Sequence, residues 1–326
     1  MMKVLVMLAL LFPAAVHAEC DATYSNPVLV ETHAISNTKF APHAFELGIG
    51  DPAVIYHGGR YYLYPTGDNR SYDVYESKDL VHWTKGPKVF KSEEHSVWAP
   101  DVFFNEDDGL FYLYYTANGR IGVASADRPD GDFKDLGILV SNAIDAHMFR
   151  DDDGSYFLYY ARYPRFAIFV QPMESPVKKK GQPVRLITPS EDWETDSVPV
   201  TEAPWVIKHR GVYYLLYSGG SADTEDYAIG YATATDPLGP YTKNGGNPIV
   251  HKGNGIFGPG HVSVVQDRAG KLWMVYHQQK DDTRGWDRMI CIDPIWFDGD
   301  GVLHGKATRA TLEPAPRCSS AQTQAP

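Results

Sequence analysis

Residues 51–67 read DPAVIYHGGRYYLYPTG: an acidic head, an apolar run, a Gly-Gly turn, then a run rich in Tyr. The pattern returns as DVFFNEDDGLFYLYYTA from Asp101, DAHMFRDDDGSYFLYYAR from Asp145, EAPWVIKHRGVYYLLYSGG from Glu202 and HVSVVQDRAGKLWMVYH from His261. Each copy sets β-branched and aromatic residues on both sides of a Gly-containing turn, which is the signature of a β-hairpin. The heads stand 50, 44, 57 and 59 residues apart. Self-similarity at this period in a hairpin-bearing unit predicts propeller blades, and five copies predict five of them. The expected fold is all-β: a five-bladed β-propeller with four-stranded blades around a central axis. Helical periodicity is not evident over any long stretch, and 23 Pro with 29 Gly punctuate the chain too often for it.

The flanks follow from this reading. Residues 1–18, MMKVLVMLALLFPAAVHA, combine a basic Lys3, an apolar stretch and small residues before Glu19, which predicts a secretory signal peptide cleaved after Ala18 rather than a membrane span. The remainder predicts one domain over residues 19–317, with an N-terminal arm at 19–50 and a flexible tail at 318–326. Three cysteines in an exported chain allow one disulfide. Cys20 and Cys318 lie at the two ends, which a propeller must bring together, so they are the expected pair, and Cys291 in MICIDPIWF reads as a buried strand residue. A net charge of −11 without a long basic segment argues against nucleic acid or an anionic membrane as partner.

In a propeller, one end of every innermost strand opens onto the axis. Asp51, Asp101, Asp145, Glu202 and His261 are therefore expected to converge, and crowded carboxyls raise the pKa of at least one of them. Taken singly, each acid could instead cap a strand or bond the neighbouring blade. That reading is preferred for Asp101, which follows Trp98-Ala99-Pro100. The EDDG and DDDG clusters at 106–109 and 151–154 lack EF-hand spacing and read as solvated turns.

The DP opening at Asp51, WAPD, ID followed by F and DDDG, EAPW and GPGH together resemble glycoside hydrolase family 43, in order from about Asp51 to Gly301. The resemblance implies a five-bladed propeller of inverting glycosidases, with Asp51 as general base, Asp145 as the residue that orients and tunes the acid, and Glu202 as general acid. It also implies that His261 helps to hold a hydrated cation, often calcium, although no cofactor is required. A lone His is commonly only hydrogen-bonded structure. Arg288 resembles the family's late arginine facing the acids or a sugar hydroxyl, with a blade-closing ion pair as its alternative. Trp98 and Phe257 offer stacking surfaces for a sugar, and Trp205 an apolar wall beside the acid. EAP stands where many members have EGP, and the segment between Arg162 and Trp193 is long enough for a loop that shapes one pocket wall.

The expected partner is an oligo- or polysaccharide of plant type, and the expected activity that of a non-reducing-end α-L-arabinofuranosidase, secreted or periplasmic. β-Xylosidase, endo-arabinanase and galactose-directed activities stay open within the family. A non-catalytic sugar-binding propeller and a retaining fructan hydrolase are the rivals from outside it.

Overall fold

The computed structural model describes residues 20–35, 45–196 and 198–318. The expected leader at 1–18 and the expected tail beyond Cys318 lie outside the described residues. Five antiparallel sheets follow one another along the chain, and each is built from one contiguous segment. The first comprises Gly50–His57, Arg60–Thr66, Ser71–Ser77 and Thr84–Lys91. The inner strands of the other blades are Val97–Asn105, Ala143–Arg150, Thr201–His209 and Gly260–Gln266. This is the five-bladed β-propeller expected from the repeats.

Packing explains why the repeats are rich in Tyr. The apolar residues gather into five clusters, each between neighbouring blades. Blades 1 and 2, for example, meet through Tyr64, Tyr72 and Phe90 against Phe111, Leu113 and Tyr115. Burying one such side chain contributes roughly 1.5–3 kcal/mol. The phenols find partners across the same seams: Tyr64 donates to the Pro129 carbonyl at 2.7 Å, Tyr114 to Pro176 at 2.8 Å and Tyr159 to Pro237 at 3.0 Å. Each latch ties the second strand of one blade to the next blade.

The arm closes the ring. Thr23–Tyr24 pairs with Glu313–Pro314, Leu29 bridges to Ile290 on blade 5, and a disulfide joins Cys20 to Cys318. Asn26 is buried beneath this closure, where its amide donates to the Ile292 carbonyl at 2.8 Å and to Asp293 at 2.9 Å. Cys291 is a buried free thiol.

The long stretch after Arg162 is spent partly on the outside of blade 3. Lys178–Lys179 and Val184–Ile187 both pair with Ala167–Ser175, giving this blade five strands, and a single helical turn, Asp192–Thr195, follows.

Candidate active site

All five inner strands kink near their start. The pairing register slips between Gly50 and Ala53, Trp98 and Asp101, Ile144 and His147, Glu202 and Trp205, and Gly260 and Ser263. Within each slip sits a non-glycine residue with positive φ: Asp51 at 49°, Ala99 at 43°, Asp145 at 58°, Ala203 at 52° and His261 at 51°. Such bulges re-aim side chains, and a non-glycine residue is strained there unless its surroundings hold it. The kinks also revise the alignment of the repeats. Blade 2 is headed by Ala99, two residues before Asp101, and blade 4 by Ala203, one residue after Glu202.

This register sorts the axial residues into layers. Asp51, Asp145 and His261 occupy the kinks, and Trp98 and Glu202 lie one residue outward. Asp101, His147 and Trp205 lie two residues inward. Asp101 accepts the Met148 N–H at 2.7 Å and so ties blade 2 to blade 3, while the His147 ring stacks on Trp205 at 4.2 Å.

What holds the strained heads comes from the end of the preceding blade's second strand. Ala99 N–H donates to Thr66 Oγ1 at 2.7 Å, Asp145 N–H to Thr116 Oγ1 at 3.2 Å, and His261 N–H to Ser218 Oγ at 2.9 Å. Asp51 N–H donates to His277 Nδ1 at 3.2 Å. In blade 3 the matching position is Ala161, which has no hydroxyl, and the Ala203 N–H donates instead to Asp145 Oδ2 at 3.0 Å. The gap in the series thus fixes the Asp145 carboxylate.

Ala161→Ser is expected to divert that N–H, raise the proton affinity of Asp145 and lower kcat several-fold, while the melting temperature stays within a few degrees. Steady-state kinetics at pH 7 beside thermal melts test this.

The three carboxyls are buried, at 7, 6 and 8% exposure for Asp51, Asp145 and Glu202, so neighbouring charges are weakly screened. Burial alone would raise Asp51, yet it is held well below the usual carboxylate range, chiefly by Arg288, whose Nη1 donates to Oδ1 at 2.6 Å, with a further bond from Thr66. His261 Nδ1 lies 3.3 Å from the same oxygen. His277 is kept neutral by burial and by the Arg288 charge, so the guanidinium carries most of the effect.

Asp145 and Glu202 behave oppositely. Burial first, and then repulsion from Glu202, push Asp145 up to about 7. Burial, together with the negative Asp51, pushes Glu202 up to about 7, against a Tyr227 O–H bond of 2.9 Å to Oε1. Such a pair holds one proton between its members near neutrality.

Two glycines make room for these partners. A Cβ on Gly50 would stand 2.3 Å from the Arg288 guanidinium carbon, and one on Gly260 would stand 2.0 Å from the Tyr227 ring. One ionised carboxylate fixed by arginine, beside a carboxyl pair that holds one proton, is equipped to take a proton on one side of a bound molecule and give one on the other.

The sequence profile for glycosyl hydrolases family 43 matches residues 46–303. The chain belongs to that family. It is therefore a glycosidase, and enzymes of this family need no cofactor. It is 29% identical over 301 residues to the β-D-galactofuranosidase xynD of Aspergillus niger, covering 82% of this chain and 85% of that one. It is 25% identical over 336 residues to an extracellular exo-α-(1→5)-L-arabinofuranosidase of Streptomyces avermitilis, covering 90% of this chain and 68% of that one. Among solved structures, a thermostable family-43 glycoside hydrolase superposes with a TM-score of 0.79 at 38% identity, covering 90% of this chain and 99% of the other.

The other residues singled out in the glycosidase sequence fall in different places. Arg288 is buried against Asp51. Trp98 is partly exposed at the mouth, its indole N–H donating to Asn69 Oδ1 at 2.9 Å. Phe257 lies partly exposed on the connection into blade 5, where its carbonyl accepts the Gln279 N–H at 2.8 Å. Trp205 packs inward on His147.

His261 is not part of a group of three converging ligand side chains among the described residues. The group that does converge is Glu31, His33 and Asp73. Lys85 already pairs with Glu31 and Asp73 there. No chemical step below passes through a metal ion.

His277 and Tyr227 were not singled out from sequence. His277 could have been found by aligning the ends of the repeats, where it falls with Thr66, Thr116 and Ser218. Tyr227 lies in the DYAIGYA segment outside the repeated stretch, and only the Gly260 opening brings it to Glu202.

Proposed function

We propose that the protein is an exported inverting glycosidase that removes α-L-arabinofuranosyl units from the non-reducing ends of plant-type glycans. Residues 19–317 form one catalytic domain behind a leader cleaved after Ala18. The observation that carries the mechanism is the opposed proton state of its carboxyls. Asp51, kept ionised by Arg288, deprotonates a water on one face of the sugar, while Glu202, protonated near neutrality, donates to the leaving oxygen on the other face. Asp145 keeps the proton on Glu202 by its own negative charge, held in place by the Ala203 N–H.

Export agrees with the Cys20–Cys318 disulfide and the extracellular relative. No described helix is long and apolar enough to cross a membrane.

The choice of sugar rests on two relatives. α-L-Arabinofuranose and β-D-galactofuranose share their ring stereochemistry and differ outside the ring, where the latter carries one further hydroxymethyl group. A pocket shaped for one needs little change for the other, so β-D-galactofuranosidase is the second reading, favoured by the relative from Aspergillus niger.

Aryl α-L-arabinofuranosides, β-D-galactofuranosides and β-D-xylosides, followed by NMR of the first-formed anomer, test the proposal. Fastest turnover of the arabinofuranoside with inversion is expected. Retention would overturn the inverting mechanism, and faster turnover of the galactofuranoside or the xyloside the choice of sugar.

The pH dependence follows from the same assignments. The general acid works only while protonated, so kcat/KM is expected to fall as pH rises through about 7, the value to which burial pushes Glu202. Asp51, held low, keeps its charge well into the acidic range. Tyr227, whose own phenol is kept protonated by burial, favours the ionised form of Glu202 by donating to it. Tyr227→Phe is therefore expected to move the alkaline limb to higher pH, raising relative activity at pH 8 about threefold. A pH–rate profile in which the limb stays or moves down contradicts this.

A further inference from the structure

Two tryptophans are exposed among the described residues: Trp286 at 42% and Trp296 at 43%. They lie at opposite ends of blade 5. Trp296 is the penultimate residue of the strand Arg288–Phe297, at the end far from the kinks, and stacks on His304 at 5.8 Å. Trp286 precedes that strand on the face where the carboxyls open. One side of its ring is covered by the Arg288 guanidinium, whose carbon lies 5.2 Å from the ring centroid. The same guanidinium donates to Asp51 at 2.6 Å. A single side chain therefore separates the indole from the proposed base.

The loop that presents Trp286 is built to stay in place. The Gly48 N–H of the arm donates to the Trp286 carbonyl at 2.9 Å, and the Lys280 N–H to the Asp287 carbonyl at 2.8 Å. Arg284 and the Gly285 N–H both reach Asp223, at 2.7 and 2.8 Å. Asp223 belongs to the loop that leads into Tyr227, the partner of Glu202. The loop that carries the indole is thus tied to the segment that supplies Tyr227, the partner of the group that serves the leaving oxygen. A rigid exposed indole presents a flat apolar surface that suits the C–H face of a sugar ring. Its exposure places it at the rim rather than on the pocket floor.

We propose that Trp286 is the stacking platform for the sugar on the leaving-group side, so that the enzyme selects glycan chains over short-headed glycosides. This rests on the arabinofuranosidase reading above. The alternative role for the ring, shielding Arg288, would affect every substrate alike.

The test compares wild type, Trp286→Ala, Trp286→Phe and Trp296→Ala on α-1,5-linked arabinotriose and on methyl α-L-arabinofuranoside, which has no sugar in its leaving group. For Trp286→Ala, kcat/KM on the trisaccharide is expected to fall about tenfold, mainly through KM, and on the methyl glycoside to change less than about twofold. Trp286→Phe should recover most of the loss, and Trp296→Ala should match wild type. Equal losses on both substrates, or no loss on the trisaccharide, overturn the platform. If wild type leaves arabinotriose intact, the sugar assignment fails instead, and the same comparison on the chain and methyl glycoside of the sugar it does cleave decides for or against Trp286.

Discussion

Asp51→Asn is expected to lower kcat about 10³-fold, and to do so whatever the leaving group. The carboxamide keeps the size of the side chain and cannot take a proton from water. The kink itself survives, because the Asp51 N–H bond to His277 belongs to the backbone. Removing this negative charge has a second consequence: Asp145 and Glu202 are raised less, so the pair gives up its proton at lower pH, and the leaving groups are compared below that limb, where the acid stays protonated.

Arg288 would also lose its main counter-charge. Breaking a buried pair on one side commonly costs about 3–5 kcal/mol, but the ionising Asp145–Glu202 pair offsets part of that here. A lowered melting temperature with a native circular dichroism spectrum is the expected physical result. The kinetic test is a comparison of a 2,4-dinitrophenyl glycoside with a natural oligosaccharide. Similar losses on both identify the base, whereas near-normal turnover of either removes Asp51 from that role.

The propeller was legible in the sequence because its cause is local. A hairpin with inward and outward residues in alternation must be written into each repeat, and five such segments leave little choice of fold. The Cys20–Cys318 bond was legible for a related reason, since ring closure dictates which ends meet. The site was legible only in part. Equating Asp101 and Glu202 with Asp51 misplaced both by one or two residues, because a bulge inserts a residue without changing composition, and only the positive φ of Ala99 and Ala203 reveals the true heads.

The supporting groups were harder still. Thr66, Thr116 and Ser218 act on the next blade rather than their own, and the decisive member of that series, Ala161, acts through the hydroxyl it lacks. Arg288 and Tyr227 reach Asp51 and Glu202 through gaps at Gly50 and Gly260, a complementarity between segments distant in sequence that no single stretch records.

Glu202→Gln supplies the contrasting result. The amide keeps the shape of the side chain and its oxygen can still accept from Tyr227, but it has no proton to give. Loss of general acid catalysis is felt in proportion to the help the leaving group needs. On a natural oligosaccharide, whose leaving alcohol is a poor one, kcat is expected to fall about 10³-fold. A dinitrophenolate departs without protonation, so on a 2,4-dinitrophenyl glycoside the loss is expected to shrink to about tenfold or less. With Glu202 neutral, Asp145 no longer repels a carboxylate and its pKa falls, although burial, the larger cause of its rise, stays in place. The alkaline limb should therefore vanish from the residual activity on the activated substrate, because the group that titrated there is gone. Equal losses on both leaving groups, or a limb that persists near pH 7, would take the acid role away from Glu202 and point to Asp145 as the proton donor.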